Sequence, residues 1–457
     1  MIEQAIQDTR SPNAEPLFFK RNGTGSFSSW LERYQISIGT ILAIIIFAVF
    51  LVVLLEYKLV LFFDFTKSAS LWFWKIYSIF SGVFLLSRLV IVLFYEDRHV
   101  SYAASDYPSV SFVITAKNEE KAIFRTIEAC MNSRYPGFFE CIVVDDGSSD
   151  DTAVCIHEAQ KLYEKMNGGV KTLSFEKNRG KREAMYQGLQ VSVGEIIVFV
   201  DSDSFVDENA LKIITEHFIK NDKVGAVSGN TGVENKNKNL LTKMQSARYG
   251  VSYDIFKACE SIFGVVSCCA GCFSAYRRSA VLPIIDRWRG QKFLGTKSTY
   301  GDDRSLTNFV LRDWDVEYCS EAKATTIVPE RYGVFFRQQL RWKKSWIREG
   351  TVASKFMWRK HPVASVSYYT NLLLPILGPV IALNALFISP IIYRVAPIVF
   401  VGGIIGMSCL FGIFYYIKSK NKYWPYLVWF SLLYVFIIVW QMPYALVRLR
   451  DTKWGTR

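Results

Sequence analysis

The chain has 457 residues, of which 51% are hydrophobic and 15% aromatic, and its 54 basic against 41 acidic residues give a net charge of +13. This length excludes a single small domain, and an apolar share above the roughly 45–50% of ordinary soluble chains excludes disordered and fibrous proteins. The nine cysteines are too sparse for a disulfide scaffold and indicate reduced thiols in a cytosol-facing protein. The composition therefore predicts a membrane protein that also has a folded aqueous domain.

Long apolar runs lie at both ends of the chain. Residues 36–55 carry no charge and are enough to cross a hydrocarbon core of about 30 Å as a helix. Because more than thirty mixed polar residues precede this run, we predict a retained span and not a signal peptide. A second span is predicted at 71–95, where Arg88 must face protein or water. Three further apolar stretches occupy 366–388, 396–417 and 424–447.

The distribution of charge predicts the topology. Segment 337–360 has eight basic residues and one acidic residue, and segment 418–457 has seven and one. These two segments account for the whole net charge, so the basic excess lies beside the apolar runs, where it favours anionic lipid and not nucleic acid. Both segments can face the cytosol only if an even number of spans separates them. We therefore predict four spans, with 424–447 a re-entrant or interfacial segment that turns back near Pro443.

Between residues 96 and 361 the pattern changes to short strands that alternate with amphipathic helices. Asp146 ends the second of these strands and Asp201 directly follows the third. This arrangement is typical of a doubly wound nucleotide-binding sheet, in which ligands bind beyond the carboxyl ends of the strands. The sequence has no glycine-rich phosphate loop, which argues against dehydrogenases and NTPases. The strands in question are predicted at 109–116, 141–146 and 195–200.

Asp201 and Asp203 are alternate carboxylates at a strand end. Such a pair can share one divalent cation, with diphosphate oxygens at its remaining positions. The same pattern also occurs in solvated turns. The buried strand before it, and the acidic pair Asp145-Asp146 at the end of an earlier strand, favour the metal site.

Two later motifs each leave two interpretations open. Asp302 and Asp303 precede a predicted helix, where they are either a cap with its first-turn acid or a source of the general base. Gln338, Arg341 and Trp342 lie in an amphipathic helix beside the membrane. Arg341 and Trp342 are either lipid contacts or a guanidinium for a diphosphate and a ring for stacking on a sugar.

Four spaced motifs together resemble the processive family 2 glycosyltransferases that make cellulose, chitin and hyaluronan. Over residues 80–457 the chain is most similar to the class I hyaluronan synthases, whereas residues 1–35 show no such resemblance. The four motifs are Asp145-Asp146, Asp201-x-Asp203, Gly301-Asp302-Asp303-Arg304 and Gln338-x-x-Arg341-Trp342. The finer similarity rests on Gly180-Lys181-Arg182, Phe293-Leu294-Gly295, Leu306-Thr307-Asn308, Lys344-Ser345, Arg348-Glu349 and the terminal Trp454-Gly455-Thr456-Arg457.

The resemblance implies an α/β domain of GT-A type, a doubly wound nucleotide-binding sheet, joined to an α-helical transmembrane bundle with interfacial helices. It also implies that Asp201 and Asp203 ligate Mn²⁺ or Mg²⁺ and that Asp303 is the catalytic base. Arg341 would stabilise the departing UDP, and Trp342 would form the floor of the acceptor site. The implied nucleotide-binding residues are Thr115, Asn118, Glu119, Asp146, Lys181, Arg182, Asp201, Gln338, Arg341, Trp454 and Arg457. The implied acceptor-binding residues are Tyr276, Asp302 and Trp342.

Two departures from these synthases lie on the acceptor side. The chain has Ala270-Gly271-Cys272 where they usually carry Ser-Gly-Pro, and Glu260-Ser261 where they usually carry Gln-Ser.

Hyaluronan, made from UDP-GlcNAc and UDP-GlcA, is the leading product. A chitin or chitin-oligosaccharide synthase that uses UDP-GlcNAc only, and a non-catalytic membrane scaffold, remain alternatives. Cys268, Cys269 and Cys272 lack a second ligand pair and are interpreted as structural or acceptor-lining thiols, not zinc ligands.

These inferences predict a multi-pass protein of the cell membrane, with its catalytic domain and both termini in the cytosol. Its partners would be UDP-sugar donors, the growing polysaccharide and membrane lipids, with no nucleic acid, and it would act as a monomer. The predicted segments are a cytosolic segment at 1–35, two transmembrane helices in 36–95, a cytosolic glycosyltransferase domain at 96–330, amphipathic interfacial helices with the Gln-x-x-Arg-Trp motif at 331–361, two transmembrane helices in 362–417, a re-entrant or interfacial segment at 418–450 and a cytosolic tail at 451–457.

Overall fold

The computed structural model of the chain describes residues 69–97, 102–394 and 396–451. The span predicted at 36–55 and the tail residues Trp454 and Arg457 lie outside these residues.

One mixed sheet forms the centre of the aqueous part. Its strands are rich in Val, Ile and Phe, and those at its centre are buried on both faces, as expected where helices cover both sides of a parallel sheet. The strands are β1 (Val110–Ala116), β2 (Phe139–Asp145), β3 (Val170–Ser174), β4 (Ile196–Asp201), β5 (Ser204–Val206), β6 (Val224–Val233), β7 (Ser274–Arg277), β8 (Lys292–Phe293), β9 (Thr296–Lys297) and β10 (Asp315–Thr326).

The order of the sheet is β3-β2-β1-β4-β7-β6-β10-β5, and β8 and β9 form a separate hairpin. The first four strands in this order are parallel, β7 is antiparallel to both of its neighbours, and β5 is antiparallel to β10. The direction in which strands are added reverses between β1 and β4. The doubly wound arrangement is therefore confirmed, and its crevice lies at the carboxyl ends of β1 and β4.

Helices pack on the sheet and continue into an apolar helical part. They are α1 (Ala69–Ile91), α2 (Ile123–Met131), α3 (Thr152–Leu162), α4 (Lys181–Val191), α5 (Ala210–Lys220), α6 (Leu240–Val251), α7 (Ala258–Ser261), α8 (Arg278–Val281), α9 (Ile285–Arg289), α10 (Asp302–Leu311), α11 (Tyr332–Met357), α12 (Pro362–Leu383), α13 (Ser389–Tyr393), α14 (Ile398–Ser419), α15 (Tyr426–Phe436) and α16 (Gln441–Val447).

Three helical segments of the described part are long and apolar enough to cross a membrane. They are Ile76–Phe94, Pro362–Ile392 and Phe400–Ser419. Arg88 faces protein, as predicted, because its side chain is 6% exposed and its Nη1 donates a hydrogen bond to Ser367 Oγ on α12 at 2.6 Å. The number of crossings and their orientation stay predictions.

The last apolar segment is bent by 41° between Tyr426–Phe436 and Ile438–Val447, and is either a broken span or a re-entrant loop. The break lies at Ile437, whose φ of −128° leaves the helical region, and not at Pro443 as the sequence suggested. Pro443 is the third residue of α16. Proline is tolerated in a first helical turn because its missing N–H has no intrahelical acceptor there.

Helix α11 connects the sheet domain to the apolar helices. Phe335, Gln339, Lys343 and Ile347 recur every four residues and are all buried, so they form one stripe along the helix. At one end of the stripe Phe335 packs with Leu241, Met244, Phe430 and Ile438, and at the other Ile347 packs with Met442 and Ala445.

Candidate active site

Asp201 and Lys181 lie at the centre of the crevice. Asp201 ends β4 and pairs in register with Thr115 of β1, and its carboxylate accepts a hydrogen bond from Lys181 Nζ. Lys181 begins α4 directly after Gly180, whose φ of +93° is accessible mainly to glycine. Asp303 joins these residues, since Thr115, Lys181, Asp201 and Asp303 line one cavity. Four predicted site residues from distant parts of the sequence therefore come together.

Asp146 positions the start of α4. Its carboxylate accepts hydrogen bonds from the backbone N–H groups of Arg179 at 2.6 Å and Gly180 at 2.9 Å. The residue is buried, and burial raises the pKa of its carboxyl despite these hydrogen bonds. Asp146 thereby holds the loop that presents Lys181, and its predicted contact with uridine stays a prediction.

The loop after β1 is fastened to the turn after β2. Asn118 accepts a hydrogen bond from Ser149 N at 2.9 Å through its Oδ1, and its own N–H donates to Ser148 Oγ at 3.0 Å. The backbone N–H of Glu119 donates to Thr152 Oγ1 at 2.7 Å. These bonds place both residues at the rim of the crevice, where nucleotide binding was predicted.

The charge of Asp201 is stabilised by its surroundings. Burial alone would raise the pKa of its carboxyl, but the cations of Lys181 and Arg341 outweigh burial and hold that pKa below its usual value. Asp203 lies two residues further on and accepts a long hydrogen bond from Thr326 Oγ1 at 3.4 Å. Both carboxylates are half-buried.

Backbone approaches Asp201 closely on one side. A side-chain carbon at Gly271 would lie 3.0 Å from Asp201 Oδ1 and 3.3 Å from Lys181 Nζ. Next to it, the Cys272 thiol helps to lower the pKa of the Asp201 carboxyl, and burial raises the pKa of this thiol. The donor set at this place is two carboxylates, which suits Mn²⁺ or Mg²⁺.

Asp303 lies in the first turn of α10. Gly301 before it has a φ of +74°, and a side-chain carbon there would lie 1.9 Å from Ser345 Oγ of α11. Glycine is therefore required both for the backbone conformation and for the close approach of the two helices. Asp303 Oδ1 accepts from Arg304 N at 2.8 Å, and Cys268 Sγ lies 3.9 Å from Oδ2. The carboxylate is half-buried and faces the cavity that it shares with Lys181.

Arg182 and Asp302 form a buried ion pair beside these residues. Arg182 Nε lies 2.6 Å from Asp302 Oδ1, with side chains 5% and 2% exposed. Arg182 Nη1 also donates to Trp288 O and to Gln291 Oε1, each at 3.1 Å. The pair joins α4 to α10 and so fixes Lys181 and Asp303 relative to each other. Contacts of Arg182 with a nucleotide and of Asp302 with an acceptor stay predictions.

Tyr276 lies in the core of the sheet. It is 1% exposed on β7, packs edge-to-face on Phe199 with ring centroids 5.7 Å apart, and is hydrogen-bonded to Thr307 Oγ1 at 3.3 Å. Its described contacts support packing, and acceptor binding stays a prediction.

The Gln338-x-x-Arg341-Trp342 motif lies along α11. Gln338, Arg341 and Trp342 are all half-buried, and Arg341 acts electrostatically on Asp201. The guanidinium of Arg248, on α6, lies 5.6 Å from the Trp342 ring centroid. Sequence reasoning did not single out Arg248, and no local pattern around it indicated a position beside Trp342.

Comparisons with known proteins agree with this geometry. Residues 111–283 match the model of the family described as glycosyl transferase family 2. The hyaluronan synthase of Streptococcus pyogenes serotype M3 is 29% identical over 385 residues, which cover 82% of this chain and 90% of that protein. An N-acetylglucosaminyltransferase of Neorhizobium galegae is 35% identical over 252 residues, which cover 54% of this chain and 56% of that protein.

A solved structure supports the fold. The mannosyltransferase PcManGT from Pyrobaculum calidifontis, in complex with GDP-Man and Mn²⁺, superposes with a TM-score of 0.58 at 16% identity, over 83% of this chain and 99% of that chain. At this identity the likeness concerns the fold alone. The fold is of GT-A type, and the chain is a glycosyltransferase whose residues 111–283 match the family 2 model and which resembles the hyaluronan synthases.

Proposed function

We propose that the chain is a processive inverting glycosyltransferase that polymerises UDP-sugars and passes the polymer across the membrane, with hyaluronan as its product. The observation that carries the proposal is the single cavity in which Lys181, Asp201 and Asp303 meet. The hyaluronan synthase relatives, matched over 90% of their length, support the choice of UDP-GlcNAc and UDP-GlcA as donors.

Asp201 and Asp203 would hold Mn²⁺ or Mg²⁺, because hard divalent cations prefer carboxylate oxygens. When bound, the cation supplies Lewis-acid stabilisation of the charge on the departing diphosphate. The mannosyltransferase of similar fold was solved with Mn²⁺ and a nucleotide-sugar, which supports this cofactor. Lys181 and Arg341 place two further positive charges around Asp201, where diphosphate oxygens would lie.

Asp303 would act as the base. Its carboxylate takes the proton of an acceptor hydroxyl while that oxygen forms a bond to the anomeric carbon of the donor sugar. The bond from that carbon to the phosphate oxygen breaks on the opposite side, so the configuration inverts and UDP leaves with the bonding electron pair. Arg341 stabilises the negative charge that develops on UDP, and Trp342 offers its half-exposed ring to the acceptor sugar.

The enzyme would lie in the cell membrane as a monomer, with its catalytic domain and both termini in the cytosol. Three long apolar helices in the described part support the membrane location. The exposed Arg337 on α11, and Lys420 and Lys422 after α14, would contact anionic lipid. Lys343, Lys344 and Arg348 of the predicted lipid-facing basic run are buried and are not available for that contact. Trp454 and Arg457 would close over the bound nucleotide as a lid.

A chitin or chitin-oligosaccharide synthase is the second candidate. The observation in its favour is the 35% identity to an N-acetylglucosaminyltransferase, which is higher than the identity to the hyaluronan synthases but covers a shorter part of the chain. Such an enzyme would need UDP-GlcNAc alone.

Incorporation of radiolabelled sugar by the purified full chain separates the two candidates. We expect high-molecular-weight polymer only when UDP-GlcA and UDP-GlcNAc are both present, and we expect hyaluronan lyase to degrade it. Chitinase-sensitive polymer made from UDP-GlcNAc alone would favour the second candidate, and no transfer from either donor would remove the catalytic proposal.

A further inference from the structure

Three side chains of the kinds that bind metal ions meet away from the reaction site. Asp97 follows the end of α1, His217 lies in the last turn of α5, and Cys319 lies on β10. Their carboxylate oxygen, imidazole nitrogen and thiol sulfur all lie within 4.8 Å of one another. Cys319 is in the first half of β10, whereas the last residue of that strand, Thr326, is the one that contacts Asp203. The group is therefore separate from the carboxylates of the crevice.

The imidazole of His217 is oriented like that of a metal ligand. Its Nδ1 lies 2.6 Å from Glu317 Oε2, and its Nε2 lies 3.3 Å from Asp97 Oδ1. A ligating histidine almost always donates its other ring N–H to a carboxylate, a carbonyl or water, which fixes its tautomer and orientation. Glu317 is in the position of that acceptor. The distance of 3.3 Å is also what two ligands would have between them if each lay about 2.0–2.1 Å from a tetrahedral Zn²⁺.

The carboxylate of Asp97 is fixed by a similar outer layer of hydrogen bonds. Its Oδ2 accepts from Ser320 N and Oγ, from Tyr95 Oη at 3.1 Å and from Glu321 N at 3.2 Å. The other oxygen, Oδ1, is thereby directed toward His217. Carboxylates that bind metal ions are commonly hydrogen-bonded in this way through the oxygen that is not the ligand.

Strand β10 brings the thiol to the imidazole. Cys319 and Glu317 are two residues apart on the strand, so their side chains lie on the same face of the sheet, which is the face that His217 contacts. The pairing of β10 with β6 is irregular between Tyr318 and Lys323, and such irregularities often redirect side chains at functional sites. The Cys319 side chain is fully buried. A set of one sulfur, one nitrogen and one oxygen donor suits Zn²⁺ and not the Mn²⁺ or Mg²⁺ that carboxylates alone prefer.

A divalent cation also fits the charge of the group. Carboxylates on both ring nitrogens of His217 require an imidazolium in the metal-free protein. Metal ligands must be deprotonated, so coordination displaces one proton from the imidazole and one from the Cys319 thiol. One Zn²⁺ would replace these two protons, and the net charge of the buried group would stay the same.

We propose that Asp97, His217 and Cys319 form a Zn²⁺ site, in which Glu317 accepts the hydrogen bond of the ligating imidazole and water completes the tetrahedron. Asp97 follows the first apolar helix of the described part, and the other two ligands belong to the sheet domain. The bound cation would therefore fasten the end of α1 to α5 and β10. The site shares no residue with the proposed reaction and does not depend on it.

Titration with Co²⁺, which occupies Zn²⁺ sites, tests the proposal. The full chain is placed in nanodiscs of neutral phosphatidylcholine, freed of metal with a chelator and kept in excess Mg²⁺. We expect a thiolate-to-cobalt charge-transfer band that saturates at one Co²⁺ per chain and disappears when Zn²⁺ is added. Cys319→Ser should remove the band, and Asp97→Asn should weaken Co²⁺ binding at least tenfold. Glu317→Gln should keep the band and weaken binding by about tenfold, as loss of an outer hydrogen-bond partner does.

Cys272→Ser is the matched control, because the Cys272 thiol adjoins Asp201 and could itself bind metal there. This variant should keep the band. Three results would overturn the site: no charge-transfer band in the wild type, a band that persists in Cys319→Ser, or a band that Cys272→Ser removes, which would assign the metal to the reaction site. If Cys319→Ser fails to fold, Asp97→Asn decides the question, since wild-type Co²⁺ affinity in that variant rejects the site.

Discussion

Two pairs of charged residues, in which Arg182, Asp302 and Lys343 are buried and Arg248 is half-buried, differ in how their charges are compensated. Arg182 and Asp302 pair with each other, and Trp288 O and Gln291 Oε1 accept hydrogen bonds from Arg182 Nη1. Arg248 and Lys343 have the same sign and lie among aromatic rings. The compensated pair holds two helices in place, whereas the other two cations receive no counter-charge from a described ion pair and contact only aromatic rings. A buried charge stabilises the fold only where the fold also provides its counter-charge.

The largest expected effect lies at the reaction site, which the Arg182–Asp302 pair holds in place. Asp303→Asn should abolish polymer synthesis, because an amide cannot accept the proton of the acceptor hydroxyl, while UDP and Mn²⁺ binding stay nearly intact. Asp203→Asn should instead weaken metal-dependent UDP binding. Calorimetric titration of UDP with and without Mn²⁺, together with polymer yield, distinguishes the two. Wild-type turnover by Asp303→Asn would remove Asp303 from the mechanism.

Deletion of residues 454–457 tests whether the C-terminal tail contributes to the reaction site. If Trp454 and Arg457 close over the bound donor, polymer synthesis should fall at least tenfold without loss of membrane insertion, an effect equivalent to about 1.4 kcal/mol. The measurements are polymer yield and protease access to a tag placed after residue 457 in sealed vesicles. Full synthesis would reject the lid, and a tag on the extracellular side would reject the cytosolic C-terminus.

The compensated pair should respond strongly to the loss of one partner. Asp302→Asn leaves the Arg182 guanidinium buried without its counter-charge, and removing one member of a buried ion pair costs about 3–5 kcal/mol. We expect a clear fall in the thermal unfolding temperature. The double variant Arg182→Met with Asp302→Leu should recover part of it. If Asp302→Asn unfolds at the wild-type temperature, the pair does not hold α4 against α10.

The two cations Arg248 and Lys343 should respond in the opposite direction. Lys343→Met removes a buried cation that repels Arg248, so the variant should be at least as stable as the wild type at pH 7. The pKa of Lys343 is lowered from 10.5 to about 7, so between these values the unfolded chain binds a proton that the folded chain does not. Wild-type stability should therefore rise relative to the variant as the pH increases from about 7 toward 10. Thermal unfolding of both proteins at pH 7 and pH 9 checks this. A gap that is independent of pH would mean that Lys343 stays charged.

Local patterns in the sequence predicted much of the fold. The strands predicted at 109–116, 141–146 and 195–200 are present as β1, β2 and β4, because continuous runs of Val, Ile and Phe can be satisfied only by burial on both faces of a sheet. Carboxylates at the ends of those strands had to meet at one edge once the strands were parallel. The long apolar helices near residues 76–94, 362–392 and 400–419 could likewise be predicted from the local sequence, since length and composition decide whether a helix can cross a bilayer.

Tertiary structure alone decided which charged residues face the crevice. Asp302 and Asp303 are adjacent in the sequence, yet one is buried against Arg182, 120 residues away, and the other lines the cavity with Lys181. The α-helix turns successive side chains by about 100°, so neighbours meet different surroundings, and no local pattern encodes which is which. The burial of Lys343 could not be predicted from the sequence either, since it depends on the aromatic residues that the bent segment brings against α11. Electrostatic roles are set by distances across the fold, and those distances exist only once the chain has folded.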